Sequence, residues 1–256
     1  PFPEELYRGL ITTLSDYHLA PTEKAVENLR AEGVLEDRIF LVGSPIAASF
    51  SEVRQFGKMG RFFFIEDTQD QWGFLTNESS YRILVTAHRR ENIPVGIKEV
   101  CKAALSLAQA ENTHVVWPRH PNPDVSDIVN SKLQGKKRVK LTGSLKYSEM
   151  AWLLDHTDLV ITDSAGVMEE ASLVGLPSIV ARNKTERTEV IGAIDTILVT
   201  GASEKAIVDA AKSFRSQGRL RKQPESHPLG DTQAIERIVS AIVAVVWEKS
   251  ANSPVL

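Results

Sequence analysis

Short runs of β-branched and other apolar residues recur from residue 82 onward, at Ile83–Thr86, His114–Trp117, Val139–Thr142, Leu159–Thr162, Ser178–Ala181 and Thr196–Val199. Between the earlier runs the apolar spacing takes a helical period. Ile97, Val100, Cys101, Ala104, Leu105 and Ala108 share one face of a predicted helix over Val95–Ala110, and Met150, Trp152, Leu153 and Leu154 fall in another over Tyr147–His156. Strands alternating with helices of this length predict right-handed βαβ units and a parallel sheet covered on both sides. Residues 81–225 are therefore expected to form one complete doubly wound, Rossmann-like domain of α/β class. A last helix is predicted over Thr232–Lys249, with Ile235, Ile238, Val239, Ile242, Val243 and Val246 on its buried side.

The first 80 residues carry less of this pattern. Glu4–Leu14 predicts a helix, Tyr17–Ala20 a short strand, Pro21–Glu32 a second helix stopped at Gly33, and Arg38–Val42 a strand running into Gly43-Ser44-Pro45. Two strands with their helices make only part of a Rossmann-like sheet, leaving an edge and apolar faces for something else to cover. Residues 1–80 are thus expected to be a partial N-terminal Rossmann-like domain with a linker at 51–80. Residues 226–256 are expected to be a C-terminal helix packing back on that N-terminal part. Pro1-Phe2-Pro3-Glu4-Glu5 has neither Met nor a basic n-region and reads as the middle of a longer protein.

Composition narrows the class without naming a chemistry. A chain of 256 residues with 42% hydrophobic and 25% charged residues is globular in type and long enough for one large domain or two small ones. Lys and Arg number 30 against 33 Asp and Glu, a formal net charge of -3, so no basic excess points to nucleic acid and any phosphate site must be built locally. The single cysteine, Cys101, forms no disulfide within the chain and fits a reducing, cytoplasmic setting. The longest apolar run, Ile238 to Trp247, is too short to span a bilayer, so no membrane partner is expected.

The polar residues gather where strands end. In open parallel sheets ligands bind at the carboxyl ends of the strands. Here the loops read Ala87-His88-Arg89-Arg90-Glu91-Asn92, Pro118-Arg119-His120-Pro121-Asn122-Pro123, Gly143-Ser144-Leu145, Asp163-Ser164-Ala165-Gly166 and Arg182-Asn183-Lys184-Thr185-Glu186-Arg187. Together they describe an anion-binding rim of cations, hydroxyls and small residues. After Asp163, Ser164 is placed to cap a helix whose first amides, at Ala165 and Gly166, no side chain covers; free amides and the helix dipole suit a diphosphate. Glu169 and Glu170, one turn on, suit the hydroxyls of a ribose, or else are two surface glutamates. His88 is placed for proton transfer or a hydrogen bond to a leaving phosphate, whereas His120 could equally shape its own loop. No His-x-x-x-His or Cys-x-x-Cys spacing occurs, so no metal site is expected. Glu4, Glu5 and Arg8 read locally as a solvated ion pair on a helix.

These motifs, in this order, resemble the non-hydrolysing UDP-N-acetylglucosamine 2-epimerases, two-domain proteins of the glycosyltransferase-B fold. Ala20-Pro21-Thr22-Glu23 and the late Gly230-Asp231 with Glu236-Arg237 fit the same pattern, and the resemblance covers nearly the whole chain. It implies that Ser164, Ala165 and Gly166 meet the diphosphate and Glu169 and Glu170 lie at the ribose. It places Arg187 at the phosphates or uridine, and Arg89 and Glu91 among the UDP-binding residues. His88, Glu4 and Arg8 fall on positions the family uses in catalysis. The implied reaction eliminates UDP to 2-acetamidoglucal and adds it back with a proton from the opposite face, with neither NAD nor a metal. A homodimer of the full-length protein is implied as well.

Two departures bear on activity. The family's opening Gly-Thr-Arg-Pro-Glu-like loop and later His-Val-Glu-Ala-Gly-Leu-Arg-like stretch have no counterpart here, so this chain is expected to keep the UDP site and to show weak turnover or none. Ala165 and Thr232 stand where the family usually has glycine. A UDP-sugar glycosyltransferase of the same fold, a hydrolysing epimerase and a non-catalytic UDP-sugar-binding remnant are the competing readings.

Overall fold

The structure, a computed structural model, describes residues 3–58, 69–185, 188–218, 221 and 226–251. The chain divides into two compact units. One comprises residues 1–52 and 226–256 and the other residues 53–225, so the division falls after Glu52 and not at residue 80.

In the first unit α1 (Glu4–Leu14), β1 (His18–Ala20), α2 (Glu23–Ala31) and β2 (Ile39–Leu41) follow one another. The two strands are parallel, with His18 opposite Ile39 and Ala20 opposite Leu41. Thr22 starts α2 by accepting the Ala25 N–H at 3.1 Å, and Gly33, at φ +87°, turns the chain away after it. Gly43 follows β2 with φ +83°; an added Cβ there would lie 2.9 Å from Arg237 Nη2 and 3.3 Å from the Ala234 Cβ, so both backbone and space require glycine.

The described residues of the segment expected as a linker, 51–80, include helical stretches. Pro45–Lys58 is a helix, α3, burying Ala47, Ala48 and Phe50, and Gln69–Thr76 is another, α4, burying Trp72 and Leu75. Phe62-Phe63-Phe64 lies outside the described residues.

The second unit holds β3 (Tyr81–Thr86), α5 (Val95–Ala108), β4 (Thr113–Pro118), α6 (Pro123–Leu133), β5 (Val139–Thr142), α7 (Tyr147–His156) and β6 (Leu159–Thr162). It continues with α8 (Ala165–Leu173), β7 (Ser178–Val180), α9 (Thr188–Ala193), β8 (Ile197–Val199) and α10 (Glu204–Ser216). All strand pairings are parallel and the spatial order is β5-β4-β3-β6-β7-β8, the Rossmann order. Central strands are buried on both faces, which is why they read as continuous apolar runs. Ile83, Val85, Val115, Trp117 and Ile161 pack against Ile97, Val100 and Cys101 of α5, Val129 of α6 and Ile207 and Phe214 of α10.

An ion pair fastens the start of this sheet. Arg82 donates from its backbone N and Nε to Asp158 Oδ2 at 2.9 and 2.8 Å, from Nη2 to Oδ1 at 3.0 Å, and from Nη1 to the Leu75 carbonyl at 2.7 Å. It joins the beginning of β3 to that of β6 and to α4. Asp158→Asn is expected to cost about 2 kcal/mol, because charged hydrogen bonds become neutral and one donor loses its acceptor. Urea unfolding reads this, and a loss below about 0.5 kcal/mol contradicts the assignment.

The last helix, α11 (Ala234–Ala251), belongs to the first unit but presents a different face from the one expected. Ala234 and Ala241 are buried with Ile238 half-buried, whereas Ile235, Val239, Ile242, Val243 and Val246 are exposed. The small alanines allow close approach, and Arg237 fixes the rotation by donating Nε to the Val42 carbonyl at 2.8 Å while pairing with Asp231 at 2.6 Å. No helix among the described residues is long and apolar enough to cross a membrane.

Candidate functional site

In the order β5-β4-β3-β6-β7-β8 the connections leave β3 and β6 in opposite directions, opening a crevice at their carboxyl ends. The floor is a pair of buried threonines, Thr86 and Thr162, whose hydroxyl oxygens lie 2.7 Å apart. Asp163 follows at once and is fully buried. Its Oδ2 accepts the His88 N–H, the Arg89 N–H and the Asn92 Nδ2–H, each at 2.9 Å, and its Oδ1 accepts the His88 N–H at 3.0 Å. Asn92 donates also to the Ala181 carbonyl at 3.0 Å, so the loops after β3, β6 and β7 are bolted together.

Two arginines of the expected rim are committed elsewhere. Arg182 is 4% exposed and its Nε contacts Glu91 at 2.9 Å. Arg119 donates Nε to the Thr142 carbonyl at 2.7 Å and Nη1 to Asn130 at 3.2 Å, tying β4 to β5. Glu91 accordingly serves as the partner of Arg182, while Arg90 is exposed. Arg89 is half-buried, and its Nε is a buried donor without an acceptor among the described residues. Arg187 lies outside the described residues.

The start of α8 fits an anion by what it leaves undone. Ser164 occupies the N-cap position with an extended backbone, φ -87° and ψ 124°, yet its hydroxyl makes no capping bond, contrary to the expected cap. Its own N–H goes to Thr162 Oγ1 at 2.9 Å. Ala165 is nearly buried, a Cβ built on Gly166 meets nothing within 4 Å, and no capping bond from Ser164 occupies the first amides of α8, which carry the positive end of the helix dipole.

Glu169 and Glu170 are both buried, which removes the reading of them as surface glutamates. Burial pushes the Glu170 carboxyl up to about 7; a hydrogen bond from Tyr147 opposes this and the Glu169 charge adds to it. His88 is half-buried beside the crevice and stacks on His120, ring centroids 4.6 Å apart and planes 10° from parallel. Burial holds its pKa below the usual histidine range; Asp163 opposes that, and His120 and Arg89 reinforce it. His120 Nδ1 accepts the Asn122 N–H at 3.2 Å, so it does shape its own loop while lying against His88.

His88, Arg89, Ser164, Ala165, Gly166, Glu169 and Glu170 thus all belong to the second unit. Glu4 and Arg8 lie on α1 in the first. The Glu4 side chain is outside the described residues, and Arg8 pairs with Glu5 at 2.9 Å and Glu32 at 2.8 Å. Sequence reasoning passed over Asp163 and Asn92 as functional groups, although a carboxylate ending a buried strand was the available signal.

The Rossmann-type parallel sheet, with an uncapped helix start at its switch point, is of the glycosyltransferase-B kind. Residues 1–243 match the family described as UDP-N-acetylglucosamine 2-epimerase, and the chain belongs to that family. It is 35% identical over 248 residues to the UDP-N-acetylglucosamine 2-epimerase of Salmonella typhimurium, covering 94% of this chain and 64% of that protein. It is 33% identical over 244 residues to that of Escherichia coli K12, with the same coverage. The chain therefore spans a little under two thirds of the length of these curated relatives. Among solved structures it is similar to the Neisseria meningitidis enzyme bound to UDP-GlcNAc, with TM-score 0.85, 29% identity, and coverage of 95% of this chain and 66% of that one. It is also similar to S. aureus MnaA solved with UDP, with TM-score 0.82, 29% identity, and coverage of 96% and 64%. The wall teichoic acid polymerase TagF, at 12% identity and TM-score 0.52, shares the fold alone.

Proposed function

We propose that the chain binds the UDP part of UDP-N-acetylglucosamine at the switch point and serves non-hydrolysing epimerisation at C2. The observation that carries this is the start of α8, which no side chain caps, with a buried carboxylate, Glu170, one turn further on. The amides of Ala165 and Gly166 with the Ser164 hydroxyl would take the diphosphate, and Arg89 and Arg187 would add positive charge. Glu170, with Glu169 beside it, would accept the ribose hydroxyls. Glu91 would act through Arg182, holding the loop that carries His88.

The C2 proton is not adjacent to a carbonyl, so simple enolisation is closed. A base removes that proton, its electron pair forms the C1–C2 double bond, and the C1–O bond breaks with its electrons leaving on UDP. Readdition returns a proton to C2 from the other face and the UDP oxygen to C1, giving UDP-N-acetylmannosamine. The exchange is redox-neutral and balances without NAD or a metal. His88 would transfer a proton in the elimination or the readdition, and Glu4 and Arg8 would serve catalysis from α1, Arg8 as a fixed cation and not as an acid or base. The same reading expects a homodimer and a cytoplasmic setting.

The test is proton NMR of the 256-residue chain with UDP-N-acetylglucosamine in heavy water. Deuterium at C2 together with an N-acetylmannosamine signal on the nucleotide supports the reading. Free N-acetylmannosamine with free UDP overturns the non-hydrolysing course. UDP binding without exchange overturns epimerisation by these residues alone and leaves a nucleotide site.

A further inference from the structure

Asp163 carries more contacts than a loop carboxylate needs. Its Oδ2 receives three N–H donors, while Oδ1 shares the His88 backbone N–H and lies 3.8 Å from His88 Nδ1. The opposite constraint comes from His120, whose ring covers one face of the His88 imidazole. Because Asn122 N–H occupies His120 Nδ1, a neutral His120 carries its proton on Nε2 and offers no acceptor at Nδ1 to its neighbour. The imidazole of His88 thus has a buried anion near Nδ1 and a flat ring on one face, with its backbone seated on the same anion.

We propose that Asp163 is a positioning residue of this site: its carboxylate seats the turn that carries His88 and keeps the neutral imidazole protonated on Nδ1, so that Nε2 is the basic nitrogen. An anion 3.8 Å from Nδ1 favours a proton there, and the carboxylate that carries the charge is fully buried. Asn92 supports the arrangement from behind by donating to Asp163 and to the Ala181 carbonyl. The consequence for turnover rests on the epimerase reading; the tautomer does not.

Nitrogen-15 NMR of the histidine-labelled chain, with His88 assigned through His88→Gln, reads the tautomer directly. The wild-type ring is expected to be Nδ1-protonated above its titration. In Asp163→Asn the proton should move toward Nε2, and the ring should titrate at lower pH, since a carboxylate favouring imidazolium is gone while His120 and Arg89 remain. Where UDP-N-acetylglucosamine is turned over, kcat should fall about 10- to 100-fold, with KM changed by less than about threefold. An Nε2-protonated His88 in the wild type overturns the proposal and requires no variant to fold. An unaltered tautomer in a folded Asp163→Asn overturns it too. The spectrum is taken without substrate, so an absence of epimerisation beside an Nδ1-protonated His88 overturns only the proposed function.

Discussion

Alanine at His88 is expected to lower kcat for C2 epimerisation by about 10²- to 10⁴-fold, the range of a positioned acid or base, with UDP affinity within about threefold of wild type. The comparison is made on the form of the protein that exchanges deuterium into C2. The asymmetry follows from where the residue sits. The alanine variant keeps the backbone seat of residue 88 on Asp163 and, with it, the amides and hydroxyl at the start of α8. Its pKa is held below the usual histidine range, first by burial, so the neutral ring predominates at pH 7. The acid limb of the pH–rate profile should therefore lie on the low side of ordinary histidine titration and disappear in the alanine variant. A loss of UDP affinity with kcat preserved would make His88 a binding group and remove it from the chemistry.

Glutamine at Glu170 should make the protein more stable and a poorer nucleotide binder. Burial raises this carboxyl from 4.5 to about 7. For an acid whose folded pKa is raised, the native state holds protons that the unfolded state releases, so stability falls as pH climbs through that window. Below pH 4.5 both states are protonated and there is no penalty; the penalty builds to about pH 7 and is constant above it. At about 1.4 kcal/mol per pH unit it amounts to about 3 kcal/mol. Glu170→Gln removes that penalty while an amide oxygen remains to accept from Tyr147. Urea unfolding should show a gain of about 1–3 kcal/mol at pH 8 and almost none at pH 4. If the carboxylate holds the ribose, calorimetry should show UDP affinity down by about 1–3 kcal/mol, roughly 5- to 150-fold. A stability gain equal at both pH values would mean that the charge is not what strains the site, and unchanged UDP affinity would remove Glu170 from it.

Strain of this kind is retained where binding uses it. Burial leaves the Glu170 carboxylate, beside a phenol and a second glutamate, poorly solvated. Two ribose hydroxyls donating to it would replace part of the lost water, so the cost carried by the free protein is partly recovered in the complex.

Much of this fold was legible along the chain because its signals are local. β5 and β6 fall on the expected residues, Val139–Thr142 and Leu159–Thr162, and α7 on Tyr147–His156, since strand and helix periods are set by near neighbours. That the loops after the strands gather was legible for a related reason: in a parallel sheet the ends of the strands share one edge, and the candidate site is placed there. The helix that holds Trp72 and Leu75 within 51–80 was not legible, because its eight residues carry little helical period of their own. The face of α11 was not legible either. Its Ile and Val stripe was the apolar side by composition, but Ala234, Ala241 and the Arg237–Val42 bond chose the rotation.

What the amino-acid order determined by itself was the alternation of strand and helix, and with it a parallel sheet carrying an anion-suited turn after Thr162. What only the tertiary structure decided was the use of each polar side chain. Arg89, Arg119 and Arg182 are alike as loop cations, yet one keeps a buried Nε without an acceptor among the described residues, one braces two strands and one is buried against Glu91. Asp163 reads as an ordinary loop acid until residues 75, 74 and 71 positions away are folded onto it. Charge and hydrogen-bonding capacity belong to the residue type, but burial and partners come from distant segments, and those set what a polar group costs and what it is left to do.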